Sequence, residues 1–127
     1  MKAKPLYGKR RRLVLSFSND TTEDLDYGFF YAYNRLRVCA AYVGFARLPE
    51  FSSGITVAIE SDTGSAETII CEYDTVSGTA AGTPYALTFA AVNPVIENGR
   101  WAQLHVNNLE GTTATGTVIV EVEDIPG

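Results

Sequence analysis

Four groups of residues in this sequence are of types that could do chemistry. Asp62-Thr63-Gly64-Ser65 sets a carboxylate beside two small hydroxyl residues and a glycine. Two such aspartates brought together by a symmetric pair of chains would share one proton and activate water. Asp20, Glu23, Asp24 and Asp26 cluster within seven residues and could offer oxygens to a hard cation. They lack the alternating spacing, central glycine and distal glutamate of a calcium loop. His105 is the single histidine, and Cys39 and Cys71 are the two cysteines. One imidazole and two separated thiols fall short of the three or four nitrogen and sulfur ligands of a common zinc site. No glycine-rich phosphate loop and no G-x-S-x-G nucleophile elbow occurs. These residues therefore imply no cofactor and no metal.

The tetrapeptide at Asp62 resembles the catalytic loop of aspartic proteases, whose small members complete their site by dimerising. The resemblance covers four residues. Glu60 and Ser61 stand where that family carries apolar residues. Val95-Ile96 runs into Glu97 where the family's later strand has glycine. D-T-G between two strands is also ordinary turn chemistry, and the sequence favours the turn.

Charge divides the chain in two. Lys2, Lys4, Lys9, Arg10, Arg11 and Arg12 give the first twelve residues six cations and no acid. The rest carries all 15 acids against Arg35, Arg37, Arg47 and Arg100, so +6 and −11 combine to the net −5. Residues 1–12 accordingly read as an extended basic arm on an acidic domain, 13–127, and ask for an acidic partner surface. A nucleic-acid-binding domain usually presents a basic face, so direct nucleic-acid binding is not expected from the acidic body.

The elements that must position these groups are strands. Leu13, Leu15 and Phe17 alternate, as do Ile55, Val57 and Ile59, Ala102, Leu104 and Val106, and Val118, Val120 and Val122. Trp101, Gln103 and His105 then face outward, as do Glu121 and Glu123, which read as guards of an edge strand. Arg35 to Arg47 is apolar on nearly both faces, with Leu36, Val38, Ala40 and Tyr42 on one of them, and reads as a central strand covered on both sides. Glu67 to Tyr73 and Tyr85 to Ala90 complete the set, joined by a polar loop, Asp74 to Pro84. About eight strands with turn residues between them predict an all-β, two-sheet β-sandwich of jelly-roll type. No stretch approaches the roughly 20 apolar residues of a membrane span. The short run Leu13-Val14-Leu15 is no secretory core, so a cytoplasmic origin and reduced, buried cysteines are expected.

In character the chain is similar to the small jelly-roll decoration (cement) proteins of tailed bacteriophage capsids. The similarity rests on the basic arm, the strands RVCAAYVGFA, GITVAIES, RWAQLHVNN and GTVIVEVED, and the loop DTVSGTAAGTP. It implies a non-enzymatic virion protein on the capsid exterior that binds the major capsid protein and staples neighbouring subunits, as a dimer or trimer. The arm cations would bind the shell. Tyr7, Arg37, Arg47, Arg100, Trp101 and His105, types enriched at interfaces, would supply further contacts. A glycan- or host-surface-binding β-sandwich, and a dimeric protease using Asp62, are the competing readings.

Overall fold

The computed structural model describes residues 7–19, 24–48, 54–62, 67–92, 94–108 and 113–127. These form ten strands: β1 (Arg10–Asn19), β2 (Leu25–Tyr31), β3 (Leu36–Arg47), β4 (Ile55–Asp62), β5 (Glu67–Asp74), β6 (Pro84–Ala86), β7 (Thr88–Phe89), β8 (Val95–Ile96), β9 (Trp101–Asn108) and β10 (Ala114–Asp124). Sheet one runs β1-β10-β3-β6, with β8 also on β3, and sheet two runs β2-β9-β4-β5-β7. No helix occurs among the described residues, so none is long and apolar enough to cross a membrane.

The order follows from nested antiparallel pairs. β4 pairs with β5, β3 with β6, β2 with β9 and β1 with β10. Traced outward from β4 and β5, the chain is one long ribbon whose successive rungs fall in sheet two, sheet one, sheet two and sheet one. A ribbon rolled in this way is a jelly roll, the architecture the strand count predicted. Its driving force is the apolar face that every rung carries. Val118, Val120, Val122, Leu104, Val106, Val57 and Ile59 are wholly buried between the sheets, each worth about 1.5–3 kcal/mol relative to exposure. Phe17 and Phe45 meet edge to face at 6.0 Å.

Several expectations are corrected. Arg10, Arg11 and Arg12 are not arm but strand: β1 begins at Arg10, opposite Glu123 of β10. Lys2 and Lys4 lie outside the described residues, and Lys9 is exposed just before β1. β10 is no edge strand, since β1 and β3 flank it; Glu121 and Glu123 pair with arginines instead of guarding an edge. β3 is central but buries only one face. A bulge at Cys39, where Val38 faces Val122 and Ala40 faces Glu121, moves the buried set to Leu36, Val38, Ala41, Val43 and Phe45. Tyr42 consequently points to solvent. The expected strand from Tyr85 to Ala90 crosses between sheets at buried Leu87, with β6 on β3 and β7 on β5.

The loop between β5 and β6 is pinned by tyrosines. Tyr73 and Tyr85 stack at 4.9 Å, Tyr73 Oη bonds Thr79 Oγ1, and Ala80 N–H donates to Tyr85 Oη. At the open end of the sandwich, Asn19 Nδ2 donates to the Val106 carbonyl and Asn108 Nδ2 to the Asn19 carbonyl. This satisfies two buried amides and ties β1 to the opposite sheet. Cys39 and Cys71 are both free. Burial pushes the Cys71 thiol up to about 12.

Candidate functional site on the outer face of sheet two

Because Ala102, Leu104 and Val106 of β9 point into the core, alternation turns Trp101, Gln103 and His105 outward. Register then decides their neighbours. His105 lies between Asp26 of β2 and Ala58 of β4, and Gln103 lies beside Glu60. Along β5, Glu67, Glu72 and Asp74 stand opposite Asp62, Ala58 and Thr56. None of the five strands of this sheet contains a lysine or arginine. The result is an acidic face with one imidazole in it.

Three side chains converge at that imidazole. His105 Nδ1 is 2.6 Å from Asp26 Oδ1 and 3.7 Å from Glu60 Oε1, while Nε2 is 3.6 Å from Asp24 Oδ2. Gln103 Nε2 donates across β4 to Glu67 Oε1 at 2.8 Å. Flanked by that bridge and by His105, Glu60 is only 7% exposed, and its Oε1 has no hydrogen-bond partner. Burial raises the Glu60 carboxyl above its ordinary value; His105 opposes the shift, and Glu67, Asp26 and Asp24 add to it. For His105, burial alone would lower the imidazolium, but the Asp26 hydrogen bond and the charges of Glu60, Asp26 and Asp24 outweigh it and hold it above its ordinary value. The arrangement can bind a cation, or hold a proton that the acids share with the ring.

The other proposed contact residues are dispersed. Trp101 is half exposed and packs on Tyr31 at 5.2 Å, and Tyr31 packs on Tyr33 at 4.9 Å. This aromatic cluster borders a cavity of about 110 Å³ lined in part by Arg11, Tyr31, Tyr33 and Asp124. Tyr7 bridges to Asp124, Arg37 pairs with Glu123, and exposed Arg47 ends β3, all on the side of sheet one. Arg100 directly precedes β9, where its carbonyl accepts from Ala32 N–H. Asp62 ends β4 next to Trp101 in register; residues 63–66, the rest of the expected turn, lie outside the described residues.

The outer face of sheet one has the opposite character. Arg10 and Arg12 both reach Glu121, at 3.6 and 3.3 Å. Beyond them Val14, Ile119, Tyr42 and Ala86 line up across four strands, with Val14 and Tyr42 well exposed. Sequence reasoning identified His105 and Asp26 separately and did not connect Glu60 to them. The sign available in the sequence was an acid at an outward position of the alternating strand Ile55 to Glu60.

No family model and no curated protein matches the chain. A chain in the acidic stable capsid structure of Helicobacter pylori bacteriophage KHP30 superposes with a TM-score of 0.59 at 11% identity, over 98% of this chain and 94% of that one. The likeness is one of fold. This chain thus resembles, over nearly its whole length, the fold of a chain in a viral capsid structure. Two further structures score lower: infectious bursal disease virus Gx strain, at 0.44 and 13% identity, and the infectious bursal disease virus VP2 subviral particle, at 0.33 and 13%. This chain covers 91% and 94% of its own length in those matches, but only 32% and 38% of theirs.

Proposed function

We propose that the chain is a non-enzymatic structural protein of a phage virion, a decoration or cement protein that binds the outside of an assembled shell and staples neighbouring subunits. The observation that carries this reading is the fold likeness to a capsid chain that is coextensive with this one. Charge segregation supports it. The strands of sheet two carry acids and no lysine or arginine, while those of sheet one carry Arg10, Arg11, Arg12, Arg37 and Arg47 against Glu121, Glu123 and Asp124. An acidic face on one side and a near-balanced, arginine-bearing face on the other suit repeated, oriented contacts between copies or with the major capsid protein, where complementarity sets register and on-rate. Lys2, Lys4 and Lys9, the cations that precede β1 in the sequence, would lie across an acidic neighbour. Several weak contacts per shell gain through effective concentration.

The test is co-sedimentation of the purified chain with shells of the phage that encodes it. Attachment at a fixed ratio to the capsid subunit is expected, with loss on combined reversal of Lys9, Arg10 and Arg12 to Glu. A chain that stays at the top of the gradient sinks the reading. Removing residues 1–12 is the wrong variant, because it deletes the first rungs of β1.

The aromatic cluster of Tyr31 with exposed Tyr33 and Trp101 favours glycan or host-surface binding as a second reading, since sugars stack on such rings beside polar groups. A glycan array separates the two: saturable glycan binding lost in Trp101→Ala would support the second.

A further inference from the structure

We propose that Asp26, Glu60 and His105 form a binding site for one divalent transition-metal ion of the Zn²⁺ class. One donor atom from each residue lies within 4.8 Å of the other two. The three come from adjacent strands, β2, β4 and β9, so the sheet register holds their backbones in place. Donors around a tetrahedral ion with bonds of about 2.0–2.2 Å stand roughly 3.3–3.6 Å apart. The observed separations from His105 Nδ1, 2.6 Å to Asp26 and 3.7 Å to Glu60, bracket that spacing. Asp26 is 45% exposed at its side chain and free to withdraw by the needed fraction of an ångström.

Glu60 is the decisive member. A carboxylate oxygen that is buried and receives no hydrogen bond is costly unless something positive meets it. His105 at 3.7 Å meets it only as a long ion pair, beyond hydrogen-bonding range. An ion seated between the three groups satisfies this oxygen directly. On binding, the metal takes the place of the Nδ1 proton that His105 now shares with Asp26. Asp24, 3.6 Å from Nε2, stays outside the coordination sphere and acts on the ring through its charge. A fourth position is left for water or for a donor from a neighbouring molecule. One imidazole with two carboxylates suits a borderline ion; Ca²⁺ would want six to eight oxygens. The ion would clip the edge strand β2 to β9 and β4. This inference rests on local geometry and stands apart from the virion reading.

The experiment is calorimetric titration of the chelator-stripped full chain with zinc chloride, together with thermal unfolding in zinc and in chelator. Binding of one Zn²⁺ per chain and a zinc-dependent rise in the unfolding temperature are expected. His105→Asn and Glu60→Gln should each weaken binding at least tenfold, Asp24→Asn less than either, and Glu72→Gln not at all. Melting in chelator shows whether each variant is folded. If Glu60→Gln is not, the shift of the His105 ring resonances of the unaltered chain on adding zinc decides the matter. No saturable binding, unchanged affinity in His105→Asn, or Ca²⁺ binding as tightly as Zn²⁺ would each overturn the proposal.

Discussion

Arg11 Nη2 donates a 2.7 Å hydrogen bond to Asp124 Oδ1, and the Asp124 side chain is 1% exposed, where β1 and β10 run out of core. Both residues lie on the inward face of their strands, continuing the lines of Leu13 and Val122. On the outward face Arg10 and Arg12 share Glu121 in solvent. Neighbours in sequence therefore do different work. Arg11→Ala removes a charge-assisted hydrogen bond to a buried carboxylate and should cost about 1–3 kcal/mol. Arg12→Ala breaks an exposed pair and should cost less than about 1 kcal/mol. Urea unfolding of the two variants checks this; equal losses would contradict it.

Gly116 is required by packing. A Cβ there would stand 2.5 Å from the Gly44 carbonyl oxygen and 2.9 Å from the Phe17 ring. The first contact is with backbone and cannot rotate away. Gly116→Ala should destabilise the fold by about 1–3 kcal/mol through overpacking, while Gly44→Ala, whose Cβ meets nothing within 4 Å, should not clash. A circular-dichroism melt that leaves Gly116→Ala unchanged would refute the assignment.

The His105 cluster makes stability depend on pH in the metal-free chain. His105 and Glu60 are both held above their ordinary values of 6.5 and 4.5, so at intermediate pH the folded state binds more protons than the unfolded one. Stability then falls as pH rises. The His105 contribution is complete below 6.5 and is lost as pH climbs through its higher folded value. The cost of ionising Glu60 sets in above 4.5. In chelator, the unfolding midpoint of the wild type relative to a Glu60→Gln, His105→Asn double variant should decline between about pH 5 and pH 8. A rising difference would reverse the sign and defeat the argument.

The strands themselves were legible in the residues. Alternation at Leu13 to Phe17, Ala102 to Val106 and Val118 to Val122 marked both the strands and their buried faces, because a strand half exposed to water must segregate its side chains with period two. Turn residues separated the segments, and their number pointed to a jelly roll. The charge asymmetry was also visible, though not its placement: cations counted as a loose arm include three strand residues, whose partners Glu121 and Asp124 lie more than a hundred positions away in sequence.

Only the tertiary structure could decide what depends on register. The bulges at Cys39 and Ile70 each insert one residue and exchange the two faces beyond them. Strict alternation therefore assigns Tyr42 to the core, and the structure puts it in water. The same holds for the site. Asp26, Glu60 and His105 are unremarkable in a linear reading, one in an acidic run, one in an alternating strand and one on a mixed face. They become a cluster because β9 is laid between β2 and β4. Local pattern sets which side of a strand faces water; which strands lie side by side is set by burying all their apolar faces at once, a condition on the whole chain.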